Sequence, residues 1–80
     1  YVQIYYGKGR PLLHRSMNYM EERLPTDLFF RANRQSIFNV KFVSDIQPYF
    51  NNSLQVVLKS GQKLEMSQRQ STRFKQMMGI

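Results

Sequence analysis

Eighty residues without a cysteine carry twelve Lys and Arg against five Asp and Glu, a net charge of +7, with 41% hydrophobic content, six Phe and five Tyr. A chain this short folds as one domain around one core, burying roughly 60–65% of the surface its unfolded form exposes. These figures exclude a disordered tail, a disulfide framework and any thiolate-based site, and no apolar run approaches the ~18 residues of a membrane span.

Residues 1–6 (YVQIYY) are aromatic and β-branched and read as a strand. The following GKGRP, residues 7–11, reads as a turn, and residues 12–15 return as the partner strand of a hairpin. Ser16 can cap a helix whose apolar face holds Met17, Met20 and Leu24, at i, i+3 and i+7. Glu21, Glu22 and Arg23 make its solvated face, and Pro25 closes it. After a loop over 25–27, residues 28–31 form a strand leading into FFRANRQSIFNV, residues 29–40. Residues 42–46 make a short strand or turn. PYF, NNS, LQVVL, KSGQ and KLEM then alternate strand with turn, an antiparallel meander. Leu54, Val56 and Leu58 share one face; Gln55, Val57 and Lys59 share the other. Asn51 and Asn52 tolerate positive φ, and Ser60-Gly61 suits a two-residue hairpin turn. Ser67 and Gln70 have capping-box spacing at the start of a last helix, with Phe74, Met77 and Met78 as its buried face and Gly79 as its stop. The expected fold is mainly β with two short helices, an α+β domain of small antiparallel sheets and hairpins.

Catalytic chemistry has little to work with. The single histidine, His14, has no nucleophile and orienting group around it, so a structural or surface role is expected. The carboxylates are scattered without metal-ligand spacing, and Gly7-Lys8-Gly9 is too short for a phosphate-binding fingerprint. No enzyme, metal or cofactor is expected.

Binding chemistry is richer. The charge excess points to a polyanion, nucleic acid ahead of acidic lipid or acidic protein. Arg offers a planar fork matched to guanine O6 and N7, and Asn or Gln pairs with adenine N6 and N7. Arg31, Asn33, Arg34 and Gln35 bring two of each within one short segment, held between the apolar pairs Phe29-Phe30 and Ile37-Phe38. Arg69 falls in the first turn of the last helix, where the positive macrodipole end makes a cation unfavourable by roughly 0.3–1 kcal/mol. Arg73, one turn on, shares its face. Cations placed against their own helix dipole make sense if an anion arrives to offset them.

On these two clusters the chain resembles the LytTR DNA-binding domain family, whose motif runs Phe-Phe-Arg-x-His-Arg-Ser-x-x-Val-Asn. Phe29, Phe30, Arg31, Arg34 and Asn39 match it, and HRSMNYMEERLP, LQVVLKSGQKLEMS and RQSTRFKQMM follow in the family's order. The resemblance spans residues 1–80 as a single domain and implies that the family's N-terminal strand or strands, and a receiver domain, are missing from this chain. It implies a cytoplasmic bacterial transcription regulator, the output domain of a two-component response regulator, with an elongated set of small sheets. Such a domain binds double-stranded DNA through loops that reach successive major grooves, two copies sharing a repeat-containing promoter site as a dimer, with no membrane role. Carried onto this chain, Arg34 and Arg69 are base-reading positions and Tyr1 lies beside a third. Arg31, Gln35, Gln70 and Arg73 are phosphate or supporting contacts. Asn33 and Gln35 stand where the family has His and Ser, so base preference there is not transferred, although both remain base-edge hydrogen-bonders.

Two other readings compete. One is a single-stranded nucleic-acid module, with Tyr5, Tyr6, Tyr49 and Phe50 as a stacking platform on one sheet face. The other is an interaction domain for an acidic protein. On the duplex reading, Lys8, Arg10, Lys41 and Arg73 add electrostatic attraction.

Overall fold

The structure, a computed structural model, describes residues 1–7, 12–25 and 27–79, with the side chain of His14 outside that description. The expected turn at Lys8 to Pro11, the charges of Lys8 and Arg10, Thr26 and the role of His14 therefore lie outside the described residues.

Among the described residues, two sheets and two α-helices make the fold. Strands β1 (Val2–Tyr5), β2 (Leu12–His14), β3 (Phe29–Arg31) and β4 (Ser36–Asn39) form a sheet of order β2-β1-β4-β3. Strands β5 (Val43–Pro48), β6 (Leu54–Leu58) and β7 (Lys63–Glu65) form the expected antiparallel meander. The helices are α1 (Met17–Arg23) and α2 (Gln68–Met78). This is the mainly β, two-helix architecture expected. One pairing was not: β1 runs parallel to β4, with Gln3 opposite Ser36 and Tyr5 opposite Phe38. Residues 36–39, read above only as the anchor of a loop, are thus a central strand.

The apolar doublets explain themselves once the first sheet is seen to be covered on both faces. Side chains alternate along a strand, so Phe29 and Phe30, or Ile37 and Phe38, must point to opposite sides. Val2, Ile4 and Ile37 pack with Met20 of α1, joined by Met17, Leu24 and Phe29. On the other side Tyr5, Phe30 and Phe38 meet Leu54, Val56, Leu58 and Leu64 of the second sheet, with Phe74 of α2. The Phe74 ring lies edge-on to Phe30 at 5.2 Å between centroids, and Phe38 stands 6.3 Å away. Burial of such a ring stabilises the fold by about 1.5–3 kcal/mol, before any geometric preference between rings.

Three local expectations need amendment. The β6–β7 turn spans 59–61, because Leu58 N–H donates to Gln62 O at 2.8 Å and Gly61 takes φ +92° just before the strand resumes. Met77 and Met78 are half exposed rather than buried. Phe74 already fills the space beneath α2, and Met77 instead lines an open hollow between the two helices. The capping box is half made: Ser67 Oγ accepts from Gln70 N–H at 3.2 Å, but the Gln70 side chain does not return to Ser67. It is needed elsewhere.

Candidate nucleic-acid interface

The parallel pairing sets where the basic residues meet. Because β1 and β4 run the same way, the start of β1 lies beside the turn over 32–35 that precedes β4. Tyr1, 78% exposed and two residues before Gln3, sits at that edge. The second sheet is tied to the same end. Ser67 N–H, at the junction of β7 and α2, donates to Ala32 O at 3.0 Å, and Asn33 Nδ2 donates to Glu65 O at 2.7 Å. The first turn of α2 is thereby clamped against the turn over 32–35.

Gln70 completes the clamp. It is buried, its Nε2 donates to Arg31 O at 2.8 Å, and its Oε1 accepts from Arg73 Nη1 at 3.2 Å. Both ends of the carboxamide are spent within the protein. This is why it cannot return to the helix start, and it makes Gln70 a strut between the two basic segments.

Asn33 is similarly engaged. Its Oδ1 accepts from Gln35 N–H at 2.9 Å, an Asx turn, while one Nδ2 hydrogen goes to Glu65 O. A single N–H is left to offer a base. Asn39 acts in the same manner, accepting from Lys41 N–H at 2.9 Å to start a short 3-10 turn. Both asparagines of FFRANRQSIFNV thus shape backbone. Arg31 is half-buried; its Nη1 meets Glu21 Oε1 of α1 at 2.9 Å and its Nε donates to Asn33 O at 3.1 Å. Its charge is largely answered inside the domain. The Gln35 side chain points outward and is exposed, with no bond among the described residues.

Arg34 and Arg69 differ from all of these. Both are exposed, and among the described residues neither guanidinium has a hydrogen bond or an ion pair. They line one shallow depression of about 400 Å³ together with Arg31, Asn33, Ser67, Gln70 and Arg73. Among the described residues, four arginines and no acidic residue line this hollow. Beneath it, the first turn of α2 contains no acidic residue, and the amides of Gln68 and Arg69 have no acceptor within the helix. The site has the chemistry of an anion receptor framed by two forks free to pair with base edges or phosphates. Among the described residues no cluster of His, Asp or Glu could hold a metal ion, and no helix is long and apolar enough to cross a membrane.

Sequence reasoning overlooked Ser67 as a lining residue, and it overlooked Glu65. The Glu65 backbone carbonyl anchors Asn33, and its carboxylate accepts from Tyr49 Oη at 2.8 Å. No local pattern marks either role, since each partner lies far along the chain.

Comparison with known proteins identifies the family. Residues 1–79 match the family described as the LytTr DNA-binding domain. The chain is 38% identical over 65 residues to the sensory transduction protein LytT of Enterococcus faecalis, covering 81% of this chain and 27% of that protein. It is 30% identical over 67 residues to LytT of Bacillus anthracis, covering 84% of this chain and again 27% of that protein. The chain thus spans about a quarter of the length of these relatives. A solved Bacillus cereus structure, the LytTr DNA-binding domain of a protein described as a methyl-accepting/DNA response regulator, superposes with a TM-score of 0.76 at 25% identity. That match covers 89% of this chain and 64% of the solved one. The chain belongs to the LytTR family of DNA-binding domains.

Proposed function

We propose that this domain binds double-stranded DNA with sequence specificity, as the output domain of a bacterial two-component response regulator acting on transcription in the cytoplasm. One observation carries the reading: Arg34 and Arg69, distant in sequence, share one exposed depression, their guanidiniums unengaged among the described residues. Arg73 and the outer side of Gln35 supply phosphate contact, while Arg31, Asn33 and Gln70 hold the frame. Tyr1 extends the same edge.

The reach of the two arginines bears on which grooves they enter. Successive major grooves on one face lie about 34 Å apart. The largest Cα extent of this chain is 29 Å, and both arginines border one hollow. This favours adjacent grooves, with Arg69 at the helix start in a major groove and Arg34 across a phosphate strand from it. A second copy of the domain, bound to a repeat of the site, would then supply the next major-groove contact. In the full-length protein a receiver domain would control that pairing.

A single-stranded stacking platform fits less well. Tyr5 is buried in the core, and Tyr6 follows it at the far end of β1. Tyr49 and Phe50 sit at the opposite end, where Gln68 of α2 holds Asn51. These four rings do not share a face.

Selection from a randomised duplex library, followed by competition with each single strand at physiological ionic strength, tests the proposal. A defined duplex should emerge and resist both strands. Recovery of no consensus, or preference for a single strand, would refute it.

A further inference from the structure

The turn between β5 and β6 holds a feature that the arginine site does not use. Phe50 is 72% exposed, and its ring packs edge-on to Tyr49 with centroids 4.7 Å apart. A lone exposed phenyl is ordinary on a protein surface. Here, however, the backbone beneath it is unusually constrained. Asn51 and Asn52 both take left-handed φ, +53° and +64°, a conformation in which Asn is among the few tolerated side chains. Ser53 donates both its N–H and its Oγ hydrogen to Phe50 O, at 2.9 and 2.5 Å, and Tyr49 N–H donates to Ser53 O at 2.9 Å. From α2, Gln68 Nε2 donates to Asn51 O at 2.6 Å and Lys75 Nζ to Asn52 O at 3.3 Å. Tyr49 is itself fixed by its hydroxyl on Glu65, the residue whose carbonyl anchors Asn33.

These bonds also place the turn. Gln68 and Gln70 lie about 200° apart around the helix axis, at 100° per residue. Gln68 holds the Asn51 turn and Gln70 holds the Arg31 strand, so the two turns flank the first turn of α2 on opposite sides. Arg69 stands between them. The turn that carries Phe50 is thus held beside α2 on the side of the helix away from the turn that carries Arg34.

We propose that Phe50 is a specificity-determining residue that packs against the 5-methyl group of a thymine, in the major groove entered by Arg69 and on the side away from Arg34. The inference rests on the duplex reading above and deepens it. Phenylalanine is suited to that contact, because the thymine methyl is the apolar feature of the major-groove edge. A ring carried on so constrained a backbone and packed edge-on to Tyr49 has less freedom to lose on binding than one on a free loop. The continuity of this turn with the basic surface favours a nucleic-acid occupant over another protein.

The test uses the duplex recovered by selection, with each thymine replaced in turn by deoxyuridine, which lacks only the methyl group. One replacement should weaken binding of the wild-type domain about fourfold, the effect of losing one buried methyl. Phe50→Ala and Phe50→Gln should weaken binding to the unmodified duplex and become indifferent to that replacement. Arg69→Ala should remain sensitive to it. Wild-type binding indifferent to every replacement, or equal sensitivity in the Phe50 variants, overturns the inference while leaving the duplex reading in place. So does a Phe50 effect traced by sedimentation to loss of self-association. Failure to recover any duplex overturns both.

Discussion

Replacing Gln70 by Met separates the framework of the interface from its charge. Methionine keeps the length and unbranched stem of glutamine, so the 7%-exposed site stays filled and no cavity opens. What is lost is polar. Arg31 O loses the donor now 2.8 Å away, and Arg73 loses an acceptor at 3.2 Å. The Arg73 guanidinium is exposed and regains water, so its share is small. The part-buried Arg31 carbonyl is left short of a partner, which costs about 1–3 kcal/mol. For a domain of this size each kcal/mol lowers Tm by about 4–8 °C. Thermal unfolding followed by circular dichroism reads that loss. Duplex affinity across a salt series reads the second consequence. With the two basic segments no longer braced, affinity falls, yet the salt slope stays unchanged because no cation was removed. An unaltered Tm, or a shallower salt slope, would refute the assignment of Gln70 as a strut.

Other outcomes follow from the same contacts. Phe74→Ala removes the ring between the two sheets and α2, and should cost about 3–5 kcal/mol, enough to unfold much of so small a domain at ambient temperature; urea titration checks it. Arg73→Ala should weaken binding almost equally on all duplexes and reduce the salt slope by about 1, as for a phosphate contact. The phenol of Tyr49 is held above its ordinary 10.0, first by its hydrogen bond to Glu65, then by desolvation and by the carboxylate's charge. Burial raises Tyr5 against a smaller opposing effect of Ser36. In both, folding favours the neutral phenol. Their stabilisation is therefore complete below the unfolded value and is lost as pH rises through the folded ones. Unfolding midpoints should hold below about pH 9 and fall above the ordinary tyrosine value, less steeply in Tyr49→Phe.

How much could be seen in advance depended on how local the cause was. Ser16 and Ser67 announce helix starts because a cap needs only its own first turn, and the structure has both hydroxyls accepting from the residue three positions on. Leu54, Val56 and Leu58 announce a strand because alternation is local, and all three are buried. The Ile37-Phe38 doublet showed burial but not that a strand crosses the middle of a sheet, since its partner β1 is far upstream and parallel. Gln70 shows the same limit at the site. Its spacing to Ser67 satisfies a capping rule, yet the carbonyl of Arg31, brought close only by the tertiary fold, takes its donor. Arg69 was legible as chemistry because a cation against a helix dipole is visible in sequence, and Arg34 because it stands among base-edge hydrogen-bonders between two apolar pairs. Their shared hollow was not. Met77 and Met78 followed the helical period past the end of the core they were expected to fill.

The most direct measurement is the affinity of wild-type, Arg34→Ala and Arg69→Ala domains for the selected duplex and for a scrambled one, at fixed salt. Both arginines are exposed and unengaged among the described residues, so both variants should fold as the parent does. Each should lose about 1–3 kcal/mol on the selected duplex and much less on the scrambled one, with base preference relaxed at a different position for each. Equal losses on the two duplexes would make both side chains phosphate contacts and contradict the claim that this hollow reads sequence.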